Sequence, residues 1–90
     1  MKKSRKKKER KRIFDQEGVE KLAALVKKVR EDKDVTQEEL AHDARLTLSQ
    51  VARIETSKGN PTVSTIFAIA RALQVRPSVF MDFALAPFKD

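Results

Sequence analysis

The sequence predicts an all-α fold: a compact five-helix bundle that contains a helix-turn-helix and follows a basic N-terminal tail. Apolar residues recur at three- and four-residue steps, helix-capping residues precede several of these runs, and no alternating segment exceeds a few residues. With 90 residues and 40% hydrophobic composition, the chain suits one domain with a small core. Because such a domain is only marginally stable, oligomerisation would support it.

The first helix is predicted from Gln16 to about residues 31–34, "EDKD", where the apolar pattern stops. Its apolar residues form one stripe while charged residues fill the other face. The stripe consists of Val19, Leu22, Ala23, Leu25, Val26 and Val29.

Two short helices follow, each predicted from a capping box, in which an N-cap side chain and the residue three positions later bond each other's backbone amides. Thr36 with Glu39 opens the second helix, which ends near Ala44, and Thr47 with Gln50 opens the third. Only residues 45 and 46 lie between them, so the chain must turn sharply. This arrangement is a helix-turn-helix.

Residues 59–61, "GNP", interrupt the helical pattern, and Thr62 is predicted to cap a fourth helix. We expect its inward residues to be Val63, Ile66, Phe67, Ala70 and Leu73. Pro77 suits the first position of a last short helix, whose Phe80 is expected to join the core. The predicted organisation is a tail at residues 1–14, a domain at 15–84 and a second tail at 85–90.

The positive charge is concentrated at one end of the chain. Residues 2–12 hold nine basic side chains and one acidic one, a net +8 against +7 for the whole chain. Residues 13–43 carry −4, and residues 44–90 carry +3. The tail should be disordered when free. It is either a solubilising terminus, an arm that neutralises phosphates or a nuclear-localisation segment.

Other classes of protein are disfavoured. The chain has no Cys, which excludes disulfides and Cys-based metal sites, and no apolar run or signal segment places it in or across a membrane. We expect a soluble, cytoplasmic protein without cofactor or metal. His42 beside Asp43 has no nucleophile of recognisable context, and no Gly-rich phosphate loop occurs, so we do not expect an enzyme.

Several joined motifs resemble the phage-repressor and Cro type of helix-turn-helix, the XRE family. They are "TQEELA" at 36–41, "RIE" at 53–55, "NPT" at 60–62 and "AIARALQV" at 68–75. The resemblance covers about residues 18–83 and implies a lambda-repressor-like fold. It places Ala41 where two helices cross closely, and Leu40, Leu46, Val51 and Ile54 at buried positions.

The chain departs from the family pattern in two places. Arg45 stands in the turn where Gly is usual, because that turn needs a left-handed backbone, so we expect about 1 kcal/mol of strain and a slightly reshaped turn. Ser57 stands where the family often has Gly, and Gly59 comes two residues later. We therefore expect this loop to bend at a different residue.

The resemblance implies that the N-terminal part of the third helix enters the DNA major groove. There Leu48 could pack on a thymine methyl, Ser49 could bond several bases, and Arg53 could bond guanine. The alternative role for Arg53 is a surface ion pair with Glu39 or Glu55. Candidates for phosphate or groove-edge contacts are Gln37, Thr47, Gln50, Thr56, Lys58 and Asn60, with Arg45 as a weaker one.

The apolar C-terminal stretch "VFMDFALAPF", residues 79–88, either caps the domain's own core or forms a two-fold interface. We expect Phe83, Leu85 and Phe88 to form a homodimer interface, because dimers of this motif bind half-sites about 34–36 Å apart.

The resemblance implies a double-stranded-DNA-binding transcriptional regulator, most often a repressor, on an inverted-repeat operator. The chain also resembles restriction–modification controllers and antitoxin repressors. From another class, it could be a protein-interaction or coactivator module whose tail binds nucleic acid without sequence preference.

Overall fold

The computed structural model describes residues 13–89. These residues form four α-helices and one 3-10 helix, without a strand in this part of the chain: α1 Gln16–Asp32, α2 Gln37–Ala44, α3 Leu48–Glu55, α4 Val63–Leu73 and the 3-10 helix Pro77–Met81. The all-α fold and its helix-turn-helix are therefore confirmed. Residues 1–12 of the predicted basic tail lie outside the described residues.

The last of the five expected helices is a 3-10 helix and not an α-helix. Pro77 is at its first position as predicted, but the element has only five residues and no side-chain cap. The Val79 amide donates to the Arg76 carbonyl at 3.0 Å, the three-residue step of a 3-10 turn. Phe80, on this element, is completely buried, as expected.

The four α-helices begin at capping side chains. Thr36 and Thr47 each form a complete capping box, with Glu39 and Gln50 respectively. Thr62 accepts from the Thr65 amide at 3.1 Å, so the predicted cap of α4 is also confirmed. Asp15, which the sequence reading had not identified as a cap, accepts from the Gly18 amide at 2.8 Å.

Each of the four α-helices is followed, within two residues, by a left-handed residue that is not glycine. In each, the left-handed residue donates to a carbonyl three residues back, and the next residue donates to one five back, which is a Schellman motif. The left-handed residues are Asp34, Arg45, Ser57 and Gln74, with φ between 58° and 64°.

The expected changes of shape at the two positions without glycine are therefore corrected, whereas the expected strain at Arg45 stays a prediction. Arg45 adopts φ 62° and ψ 38°, so the turn keeps its left-handed form and is not reshaped. Ser57 adopts φ 64°, so the loop after α3 bends at the family's position, and Gly59 does not take a positive φ. The Schellman hydrogen bonds hold these backbones despite the β-carbon.

The core lies where the four helices meet the 3-10 helix. Leu40, Val26, Val51, Ile69 and Phe80 are its most deeply buried side chains. Leu46, which the resemblance placed at a buried position, is half-buried against this cluster.

The prediction for α4 was partly wrong. Ile66, Ala70 and Leu73 are buried as expected, but Val63 and Phe67 are 60% and 46% exposed. Ile69 takes the inward position in their place. Because 66, 69, 70 and 73 form the stripe that faces the core, position 67 falls on its flank and position 63 on the outer first turn.

The C-terminal segment folds back along the first turns of α1. Lys21 donates to the Ala84 carbonyl at 2.6 Å and lies 6.0 Å from the centre of the Phe83 ring. The Ala86 amide donates to the Glu17 carboxylate at 3.3 Å. Contacts with the domain thus continue to residue 86. Among residues 13–89, no helix has the length and apolar character needed to cross a membrane.

Candidate nucleic-acid interface

The helix-turn-helix holds α3 with one side in the core and the other exposed. Ala41 and Ala44 are both 5% exposed, and their small side chains let the backbones of neighbouring helices approach. Val51 and Ile54 anchor α3 to the core. Leu48, by contrast, is 44% exposed, and Ser49 and Arg53 are exposed as well. The three residues that were predicted to meet bases therefore share the outer side of α3.

The guanidinium of Arg53 makes one exposed hydrogen bond within the domain. Its Nη2 donates to the Lys58 carbonyl at 3.1 Å, a single contact with an exposed partner. The alternative ion pair with Glu39 or Glu55 is not formed: Glu39 bonds Thr36, and Glu55 pairs with Arg30. Arg53 can therefore leave the carbonyl for a new acceptor at a cost of about 1 kcal/mol.

The capping box orients Gln50 at the start of α3. Its Oε1 accepts from the Thr47 amide at 2.8 Å and lies 3.2 Å from the Thr47 hydroxyl. Since the oxygen is engaged, the side-chain Nε2 is the group left for a ligand, and residues 13–89 supply it no acceptor. An amide N–H suits phosphate or a base acceptor.

Gln50, Arg53 and Asn60 line one shallow groove between α3 and the start of α4. The Lys58 carbonyl bonds Arg53 from the same loop. Asn60 donates from Nδ2 to the Ile13 carbonyl at 3.3 Å, which places the start of the described chain beside this groove. Ile13, the residue that directly follows the basic segment in the sequence, therefore lies next to the predicted DNA contacts.

Two of the residues that were predicted to contact phosphate form side-chain hydrogen bonds within the domain. The Thr56 hydroxyl donates to the Ala52 carbonyl at 2.8 Å, so its proton is not available to a phosphate in this conformation. Gln37, at the first position of α2, donates from Nε2 to Glu55 at 2.9 Å. It is half-buried beside α3 and retains one further side-chain N–H.

A buried ion pair beneath α3 escaped the sequence reading. Arg30 donates from Nε and Nη2 to the two oxygens of Glu55, at 2.6 and 2.9 Å, and from Nη1 to the Val35 carbonyl at 2.8 Å. The side chains are 11% and 2% exposed. The hydrogen bonds with Glu55 raise the pKa of Arg30, although burial opposes them, so it stays charged at any working pH. A signal existed: position 30 continues the apolar stripe four residues after Val26.

Charge is distributed unevenly over the surface. Arg45, Arg53 and Lys58 are exposed around α3 and its flanking loops. The nearest acid on α3, Glu55, is neutralised by Arg30. The acidic side chains of α2 line a separate surface region together with His42, which is exposed and lies 3.2 Å from Asp43. The α3 side is therefore the more attractive surface for a polyanion.

Two of the three predicted dimer residues contact their own chain. Phe83 is half-buried beside Lys21, and Leu85 lies against Gly18 of α1 while remaining 49% exposed. Phe88 is 93% exposed. Of these three side chains, Phe88 and Leu85 are the more exposed to a second subunit.

Comparison with known proteins identifies the family of this chain. The HTH_3 helix-turn-helix family model matches residues 26–80. The immunity repressor protein of Bacillus phage phi105 is 38% identical over 56 residues, which are 62% of this chain and 39% of that protein. The chain therefore corresponds to well under half of that repressor.

Two solved structures of restriction–modification controllers are also similar. C.AhdI from Aeromonas hydrophila has a TM-score of 0.68 at 27% identity over 69% of this chain and 94% of its own. C.Esp1396I, solved as a tetramer in complex with its natural 35 base-pair operator, has a TM-score of 0.68 at 31% identity over 72% of this chain and 86% of its own. The chain belongs to the HTH_3 family of helix-turn-helix proteins, the XRE-type transcriptional regulators.

Proposed function

We propose that the protein is a sequence-specific, double-stranded-DNA-binding transcriptional regulator that occupies an inverted-repeat operator as a homodimer and represses transcription there. The observation that carries the proposal is the exposed side of α3, where Leu48, Ser49 and Arg53 stand opposite the buried Val51 and Ile54. A recognition helix needs this arrangement, because its outer residues must reach base edges. The proposal assigns the protein no catalytic activity and places it in the cytoplasm.

The exposed residues offer three different chemistries for bases. Leu48 presents an apolar surface suited to a thymine methyl, and Ser49 can donate or accept. Arg53 can place two N–H groups on the O6 and N7 of guanine, a contact that contributes about 1–3 kcal/mol of discrimination. Together they give a short half-site, so one subunit would discriminate weakly.

The remaining predicted contacts hold the backbone. Gln50 Nε2, Lys58 and the second N–H of Gln37 are donors that phosphate oxygens accept, and such contacts fix register without reading sequence. Thr47 contributes by orienting Gln50. For Thr56 and Asn60 we propose the same phosphate role only after their present hydrogen bonds open.

Dimerisation supplies the missing specificity. Two half-sites about one helical turn apart double the number of base contacts. We propose that Phe83, Leu85 and Phe88 meet their copies on a second subunit, mainly through Phe88 and the exposed part of Leu85. The oligomeric state of C.Esp1396I on its operator supports association of this fold on DNA.

A second candidate is the restriction–modification controller type of regulator. This candidate is favoured by the share of each protein's length that is matched: 94% and 86% of the two controllers, but 39% of the phage repressor. The two candidates share the DNA-binding mechanism. The genes that flank the operator would separate them.

The experiment that tests the proposal is selection of bound fragments from random duplex DNA at near-physiological salt. An enriched inverted repeat with centres about one turn apart is the expected result. Absence of any common sequence would contradict it and favour a module with non-specific nucleic-acid affinity.

Arg53→Ala should then weaken discrimination between the operator and random DNA by about 5- to 150-fold. Arg71→Ala is the matched control, because Arg71 is also exposed but lies on α4. Unchanged discrimination in Arg53→Ala would show that the recognition residues are assigned wrongly.

A further inference from the structure

One buried carboxylate joins three helices beneath the predicted DNA-binding surface. Glu55, the last residue of α3, accepts from Arg30 of α1 through both oxygens. The same Oε1 also accepts from Nε2 of Gln37, the first residue of α2, at 2.9 Å. The side chain of Glu55 is 2% exposed, whereas Gln37 is half-buried at the surface. The end of the recognition helix is thus linked directly to the start of the helix that precedes it.

Stability alone does not explain why an ion pair, and not a pair of apolar residues, occupies this buried position. Removing two charges from water is costly, and apolar residues of similar volume often stabilise a fold as well as a buried pair does. The specific feature is the third partner: Arg30 uses its fork to hold the carboxylate in one plane, and Val35 fixes the remaining nitrogen. The carboxylate is therefore a fixed acceptor for Gln37.

A fixed acceptor determines how the Gln37 amide lies. A carboxylate can only accept, so the NH₂ of Gln37 must face it, and the amide cannot flip. One N–H is used by Glu55, and the second remains on the same nitrogen for another acceptor. Because Arg30 neutralises Glu55, a phosphate that approaches this nitrogen does not meet an uncompensated negative charge.

We propose that Arg30 and Glu55 are positioning residues for DNA binding: they hold Gln37 so that its free N–H meets a backbone phosphate, and they tie that contact to the end of α3. This inference rests on the proposed DNA-binding function. The phosphate contact of α2 then sets the register of the recognition helix. Without Glu55, the Gln37 side chain would be mobile and would have to be ordered when DNA binds. Loss of the ion pair should therefore weaken operator binding about two- to tenfold.

The test replaces the ion pair with apolar residues. The double variant Arg30→Met, Glu55→Leu keeps the net charge and a filled interior, and its thermal unfolding is measured first. The matched control is Lys28→Met, Asp32→Leu, which removes an exposed pair from α1. Operator affinity is measured for each variant with and without Gln37→Ala, on the operator enriched by the wild-type protein.

We expect the apolar double variant and Gln37→Ala each to bind two- to tenfold more weakly. We expect no further loss when they are combined, because the pair acts through Gln37. In the wild-type protein, phosphate ethylation should interfere at the phosphate that Gln37 contacts. In either variant that one interference should be lost, while interference at the other phosphates remains. The control should bind as the wild type does.

Two results would overturn the inference while leaving the proposed function intact. They are wild-type affinity in the apolar double variant, and effects that add fully in the combined variant. Wild-type protein that enriches no operator would overturn the proposed function and the inference with it. If the apolar double variant does not fold, Arg30→Lys takes its place. Lysine keeps the charge but cannot donate to both carboxylate oxygens in parallel, so we expect a smaller loss of operator affinity. That loss should be absent when Arg30→Lys is added to Gln37→Ala.

Discussion

Replacing Arg45 with glycine should stabilise the protein. Arg45 holds φ 62° and ψ 38° at the end of α2, where its amide bonds the His42 carbonyl and the Leu46 amide bonds the Ala41 carbonyl. A β-carbon in this conformation costs about 1–2 kcal/mol. Glycine removes that strain but gains freedom in the unfolded chain, worth about 0.5–1 kcal/mol in the opposite sense. The net gain should be about 0.5–1 kcal/mol.

Thermal unfolding measures this gain. For a domain of this size, 1 kcal/mol corresponds to about 4–8 °C in Tm, so Arg45→Gly should raise Tm by about 2–8 °C. Arg45→Ala is the control, because alanine retains the β-carbon and its strain but lacks the charged side chain. The difference between the two variants therefore isolates the left-handed backbone.

The same pair of variants separates stability from DNA binding. If the exposed Arg45 side chain contacts a phosphate, both variants should reduce the salt slope of operator affinity by about 1. An Arg45→Gly variant that is no more stable than Arg45→Ala would refute the argument, since it would mean that the Schellman hydrogen bonds hold the turn without strain.

Three further predictions follow from the structure. Thr62→Ala removes the cap of α4 and should cost about 1 kcal/mol of stability, but it should leave operator affinity unchanged at temperatures where the protein is folded. Thr47→Ala should cost as much stability and also weaken operator binding. Equal operator affinities of the two variants in equilibrium titrations would contradict the role given to Thr47. Deleting residues 1–12 should lower the salt slope by about 0.9 for each phosphate lost and leave sequence preference intact; an unchanged slope would identify a solubilising segment. Phe88→Ser should weaken self-association in sedimentation without lowering Tm, because Phe88 is 93% exposed; unchanged association would place the dimer interface elsewhere.

Local signals in the sequence predicted most of the fold. Thr36, Thr47 and Thr62 mark three helix starts within a residue, because a capping side chain acts on amides only two or three positions away. The residues on the two sides of α3 could also be separated from the spacing of Val51 and Ile54. Such signals depend on neighbours in the chain and not on the rest of the fold.

The errors arose where the outcome depends on packing or on hydrogen bonds that exist only in the folded chain. Arg30 and Glu55 are 25 positions apart, and nothing local shows that two charged residues will be buried together. Phe67 was placed inward because it is large and apolar, but α4 packs with Ile69 toward the core, and Phe67 lies on the flank. Ser57 takes a left-handed backbone without glycine because the Lys58 amide bonds the Arg53 carbonyl, a contact that exists only in the folded loop.

The nine predicted DNA contacts divide by what their polar groups already do. Thr47, Thr56, Gln37 and Asn60 have hydrogen bonds within residues 13–89 that fix helix ends and loops. The remaining residues keep an apolar surface or a donor toward solvent: Leu48, Ser49, Gln50, Arg53 and Lys58. Gln50 also bonds Thr47 through its oxygen, and Arg53 makes one contact with the Lys58 carbonyl, but both keep further N–H groups unbonded within residues 13–89. A group that is already bonded cannot choose among bases without breaking that bond, so it contributes geometry. Sequence preference should therefore be set by Leu48, Ser49 and Arg53 of α3, while substitutions in the bonded group should change affinity for all sequences alike.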